Sequence, residues 1–141
     1  MAKVYSKEMT IINAGKAVYA GVVGGRVRRY RATVELKAQA ADDVIELIEV
    51  PANKTFAFGV IFTSVTLGTA TLAIGTADDP DAYMAAKTVT TADAPVFFGT
   101  ADAASADTPA KTGKTTITAT VGTAALPASG TLVIDVYASD I

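Results

Sequence analysis

The chain has 141 residues, half of them apolar, with no cysteine, no histidine and a formal net charge of −2. The length suits one domain with a core of its own. The two missing residue types exclude disulfides, thiol nucleophiles, thiolate metal sites, histidine-based triads and imidazole pH switches. The small net charge hides a split. Residues 1–37 carry eight bases against two acids, a net +6, whereas residues 38–141 carry four bases against twelve acids, a net −8. Such asymmetry points to a basic end that meets an acidic surface, on another protein or on a neighbouring copy; an even scatter of surface charge is the plainer alternative.

Residues 1–14 have no clean hydrophobic period and end at the turn signal Asn13-Ala14-Gly15, so they read as an arm or an irregular edge segment. The start, MAKVYSKEM, carries charge where the apolar core of a signal peptide would begin. The longest strongly apolar window, Phe56 to Phe62, is too short to cross a bilayer. A soluble product made in a cytoplasm, without a membrane partner, is expected.

Residues 16–23 are β-prone. Gly24-Gly25 follows, then RVRRYRATVELK, which together read as a hairpin. In the second run Tyr30, Ala32, Val34 and Leu36 fall on one face; Arg29, Arg31, Thr33, Glu35 and Lys37 fall on the other. Residues 38–41 connect to a strand at 43–50, whose period slips between Leu47 and Ile48 as at a bulge, and Pro51 ends it.

Residues 56–83 read as strand, glycine turn, strand and acidic turn, with the other segments as partners for that strand pair. Phe56, Phe58, Val60 and Phe62 form the densest apolar face, expected to be the centre of the core; Ile61 and Val65 lie opposite, which marks a central strand. Asp78-Asp79-Pro80-Asp81 reads as a turn capped by Asp79 and continued as helix through Ala82 to Lys87. Val96-Phe97-Phe98 is a short strand, residues 100–113 a polar loop expected to be exposed, 115–121 an alternating strand, and 131–138 a last strand with Leu132, Ile134 and Val136 inward and Asp135 and Tyr137 outward.

The sum is an all-β, jelly-roll-like antiparallel sandwich of roughly eight strands. Residues 1–25 form an N-terminal arm and first strand, and residues 26–141 form the sandwich.

Motifs of chemistry are sparse. GKTT at 113–116 echoes a phosphate-binding loop, but Thr108 stands where its first glycine belongs and a strand follows it. The Asp78, Asp79 and Asp81 cluster lacks the late bidentate acid of a calcium loop, so no metal or cofactor is expected. Arg26, Arg28, Arg29 and Arg31 could hold phosphates, yet only Tyr30 is interleaved and alternation turns it away from Arg29 and Arg31; nucleic-acid binding is not expected. Tyr5, Tyr19, Tyr83 and Tyr137 read either as interface residues or as ordinary half-buried strand residues.

Three segments carry a resemblance: 27–53 (VRRYRATVELKAQAADDVIELIEVPAN), 64–86 (SVTLGTATLAIGTADDPDAYMAA) and 116–137 (TITATVGTAALPASGTLVIDVY). Their order and spacing resemble small structural proteins of tailed-bacteriophage virions, often described as head decoration or head-fibre-like proteins. The second segment looks like that family's strand pair and Asp-Pro-Asp turn, and the third like its terminal hairpin. The resemblance implies a non-enzymatic virion component that assembles in the bacterial host cytoplasm. Its partner would be the major capsid protein, and it would form a homo-oligomer, a trimer for preference. The contact residues it suggests, joined to the basic N-terminal charge, are Lys3, Tyr5, Lys7, Tyr19, Arg26, Arg28, Arg29 and Arg31. Another virion part (tail, neck or fibre base) and a carbohydrate-binding module are the alternatives.

Overall fold

The computed structural model describes residues 3–17, 26–99 and 111–140. Residues 18–23 of the expected hairpin partner at 16–23, its Gly24-Gly25 turn and most of the expected loop at 100–113 lie outside these residues. Among them are one short helix, α1 (Lys7–Asn13), and eight strands: β1 (Val27–Glu35), β2 (Val44–Val50), β3 (Lys54–Thr63), β4 (Thr71–Gly75), β5 (Met84–Thr88), β6 (Val96–Phe98), β7 (Thr115–Gly122) and β8 (Thr131–Asp140).

The strands form two four-stranded sheets, in the orders β1-β8-β3-β6 and β2-β7-β4-β5. Every pairing is antiparallel. Four of the pairings are nested, β4 with β5, β3 with β6, β2 with β7 and β1 with β8. One long ribbon doubled back at residues 76–83 and then rolled up yields this nesting. The rolling brings β8 beside β3 and β7 beside β4, which is the jelly-roll arrangement. The all-β sandwich expected from the sequence is therefore present.

Alternation places the core. Leu132, Ile134 and Val136 of β8 face Leu72 and Ile74 of β4 and Ile117, Ala119 and Val121 of β7, all at most 2% exposed. Ala32 of β1 and Leu36 just after it are buried while Arg29, Arg31, Thr33 and Glu35 are exposed, as the alternation predicts. The bulge expected in 43–50 is present as a register shift between Glu46 and Ile48.

Four expectations are corrected. First, β3 and β4 do not pair. The turn through Gly68, whose φ of +66° suits glycine, carries the chain from one sheet to the other. Buried Leu67 and Ala70 hold that corner in the core. Likewise β7 and β8, expected as a terminal hairpin, belong to opposite sheets. Local sequence marks turns but not whether a turn stays in its sheet.

Second, Phe58 and Phe62 are not the centre of the core. β3 carries a register shift between Phe56 and Phe58, and the extra residue flips the face. Phe56 points inward, stacked on Tyr83 at 4.2 Å, while Phe58 is 40% exposed. Ile61, fully buried, takes the inward place. The expectation that β3 is central is right, since it lies between β8 and β6.

Third, Met84–Thr88 is a strand, not a continued helical turn. Pairing with the free side of β4 and burial of Met84 outweigh the helix propensity of Ala85 and Ala86. The cap at the acidic turn also runs the other way: the Asp79 N–H donates to Thr76 Oγ1 at 3.2 Å. Fourth, part of the arm is helical. Ser6 caps α1 by accepting the Met9 N–H at 3.1 Å, and the helix ends at the expected Asn13-Ala14-Gly15 turn.

Candidate functional site

The outer face of the first sheet is built from side chains that meet only through strand register. Residues directly opposite one another in neighbouring strands share a face. One row runs Arg29, Tyr137, Phe58; the next runs Arg31, Asp135, Val60, Phe97; the third runs Thr33, Val133, Phe62. The Phe58 and Tyr137 rings stack with centroids 4.6 Å apart and planes 10° from parallel. Phe97 on edge strand β6 is 65% exposed, while Val60 between these rings is buried.

Beside the aromatics lies a carboxylate–guanidinium pair. Arg31 Nε donates to Asp135 Oδ1 and Nη2 to Oδ2, both at 2.8 Å, the bidentate geometry that suits a planar guanidinium. Asp135 is 2% exposed, so this is a buried carboxylate kept charged by its partner. The hydrogen bonds from Arg31 hold its carboxyl below the ordinary range, against the opposing effect of burial. A pKa lowered on folding adds stability above the unfolded value, about 3.9, that is lost as pH falls through the lower folded value. Asp135→Asn therefore costs about 1–2 kcal/mol at pH 7. That deficit shrinks as pH falls from the unfolded value through the lower folded value of Asp135. Urea unfolding across an acid pH series checks this, and a deficit that stays constant however far the pH is lowered would refute it.

A second ionic group closes the same sheet at its end. Arg28 Nε donates to Asp140 Oδ2 at 2.8 Å, and Lys54 pairs with Asp140 Oδ1. Lys54 and then Arg28 hold the Asp140 carboxyl below its ordinary value.

The contact residues expected from sequence thus divide. Arg28 and Arg31 are engaged with carboxylates of the chain's own last strand. Arg29 lies on the outer face and Arg26 just precedes β1, both exposed and in no ion pair among the described residues. Lys3 and Tyr5 are exposed on the arm, and Lys7 opens α1. Tyr19 lies outside the described residues. Of the other tyrosines, Tyr137 is on the outer face and Tyr83 is half-buried against Phe56.

The aromatic row escaped the sequence reading because Phe58 and Phe62 looked like core. The available signal was the outward assignment of Asp135 and Tyr137, whose register neighbours are Val60 and Phe58.

The described residues hold no group of three or more Asp or Glu placed to bind a metal ion. No described helix is long and apolar enough to cross a membrane. A cleft between the sheets, lined by Val50, Lys54, Phe56, Tyr83, Lys111 and Ile117 among others, has a volume of about 20 Å³, room for roughly one water.

Over the described residues the architecture is an eight-stranded jelly roll with an apolar, arginine-flanked outer face. No protein-family model and no curated protein matches the sequence. Solved structures do. The chain is similar to one in the capsid of Ralstonia phage GP4, with a TM-score of 0.65 and 24% identity, over 83% of this chain and 86% of that one. It is similar to one in the cyanophage Pam1 capsid asymmetric unit, with a TM-score of 0.66 and 18% identity, over 89% and 92%. A third, from the acidic stable capsid structure of Helicobacter pylori bacteriophage KHP30, has a TM-score of 0.54 and 14% identity over 81% and 93%. At these identities the likeness is one of fold.

Proposed function

We propose that the chain is a non-enzymatic structural component of a bacteriophage virion, a decoration or cement protein seated on the outer surface of the capsid. The observation that carries this reading is the match of nearly the whole jelly roll to chains from phage capsids, covering 86% and 92% of two of those chains. The family resemblance of the sequence supports the same reading.

In this role the protein binds only the assembled shell and so stabilises it by mass action against disassembly. The partner is the major capsid protein, and the copies sit as a symmetric oligomer, a trimer on the resemblance. The basic arm with Lys3, Tyr5, Lys7 and Tyr19, together with Arg26 and the exposed part of β1, supplies contacts to an acidic shell surface. Assembly takes place in the host cytoplasm.

The test is deletion of the gene from the phage that encodes it. Mutant particles are expected to package DNA yet lose infectivity at lower temperature than wild type and, as salt is withdrawn, at higher ionic strength than wild type, and purified protein added back restores them. Particles of wild-type resistance, or a density map of wild-type particles that places the chain in the tail or neck, would overturn the cement role.

A further inference from the structure

The large exposed apolar side chains of the described residues gather in two places: Val4, Tyr5, Met9, Ile11 and Ile12 on the arm, and Phe58 and Phe97 on the outer face of the first sheet. Val27 continues the outer face one row beyond Arg29, and Val44 of the other sheet stands apart. The outer face is the more structured of the two. Its aromatics project from paired strands rather than from a seven-residue helix, and Phe58 is fixed by its stack on Tyr137.

We infer that this face, centred on Phe58, Tyr137, Phe97 and Arg29, is the docking surface of the chain, and that its occupant is a protein surface presenting apolar side chains beside a carboxylate. The inference rests on the proposed role, in which that surface belongs to the capsid shell. It moves the centre of contact from the arm and the arginine run to a site that exists only in the folded sheet.

Composition supports a protein occupant. Tyr, Phe and Arg at the centre, with few other charges, is the pattern of protein interfaces and their strongest contacts. Charge selects the kind of protein. Arg31 is satisfied by Asp135, whereas Arg29, in register with Tyr137, makes no ion pair among the described residues and acts on the Asp135 carboxylate only through space, that carboxylate being already taken by Arg31. Desolvating Arg29 under a partner is costly unless that partner brings a carboxylate.

The same charge disfavours a second copy's arm as the occupant, since Lys3, Lys7 and Lys16 outnumber Glu8 there. Ring geometry disfavours a sugar or a nucleobase. Phe58 and Tyr137 are stacked face to face, so each has spent one ring face on the other instead of lying side by side as a platform.

The test uses virions of the deletion phage as the probe, with full-length protein added back and occupancy measured across a concentration series. The variants are Phe58→Ser with Phe97→Ser, and separately Arg29→Glu. The control is Lys87→Glu, which makes the same charge change on exposed edge strand β5 of the other sheet. All the substituted side chains are exposed, and melting temperatures close to wild type confirm folding. The double variant is expected to bind about 100-fold more weakly or worse, and Arg29→Glu about 10-fold more weakly with a shallower salt dependence. Lys87→Glu should bind within about 3-fold of wild type.

If wild type fails to bind the deletion particles, the decoration role itself falls. If wild type binds and the double and Arg29→Glu variants bind equally well, the role stands and this face is not its contact. Loss of self-association by the double variant in sedimentation, with particle binding intact, would identify a second copy as the occupant and overturn the inference. So would glycan or oligonucleotide binding that the double variant abolishes.

Discussion

Ile134→Ala lowers the unfolding free energy by about 4 kcal/mol and the melting temperature by roughly 15 °C. Ile134 is fully buried at the middle of β8, paired with Ala32 of β1 on one side and Ile61 of β3 on the other. Its side chain enters the layer between the sheets, where Leu72, Ile74, Ile117 and Val121 are also fully or almost fully buried. Removing three carbons there forfeits their transfer free energy and leaves a void. The strands around it are held by ladder hydrogen bonds on both sides and cannot close in. Val133→Ala, on the opposite and half-buried side of the same strand, is expected to cost less than half as much. Chemical denaturation of both variants checks the contrast, and similar losses would mean that the two faces of β8 are not divided as described.

Gly75→Ala costs about 3 kcal/mol although it removes nothing. Gly75 ends β4, and the ribbon tip at 76–83 folds directly over it. A Cβ at this position would lie 2.2 Å from the Asp79 carbonyl oxygen and 2.4 Å from the Pro80 carbonyl carbon. Both neighbours are backbone, so relief requires the turn to move as a unit. The Asp79 carbonyl also accepts the Thr76 N–H at 2.9 Å and the Ala82 N–H at 3.2 Å. Displacing the turn loosens those bonds and the Tyr83–Phe56 stack just beyond. Gly68→Ala is the informative comparison. It has open space around it and a positive φ, so it should lose only about 1 kcal/mol through the backbone. A Gly75→Ala protein within about 1 kcal/mol of wild type would show that the tip yields more easily than its contacts imply.

The sheet class was readable because period-two alternation survives in β1, β7 and β8, whose inward residues were identified apart from Ala138 of β8. Two-sided burial hid more. β3 has apolar residues on both faces, so alternation alone could not say which face met the core, and a single extra residue at Ala57 reversed the answer. The partition of strands between sheets was illegible for a different reason. A Gly68 turn or a Leu126-Pro127 corner looks the same locally whether the chain returns to its own sheet or crosses to the other. The candidate site inherits both blind spots. Arg29 and Arg31 were placed correctly on a shared face, but their neighbours across the sheet come from segments about 30 and 100 residues away. The acidic turn, readable as a turn, is the tip about which the ribbon doubles.

The nested pairing also sets an order of events. The tip joins β4 to β5 across a short loop, whereas β1 and β3 each depend on β8, which is synthesised after every other described strand. Until residues 131–140 have left the ribosome, β1 lacks its only in-sheet neighbour among the described strands, and β3 has among them only the three-residue β6. The first sheet, and with it the aromatic face, can therefore form only once β8 has emerged. A chain halted anywhere before β8 carries the arginines and phenylalanines of that face without the strand that sets them side by side.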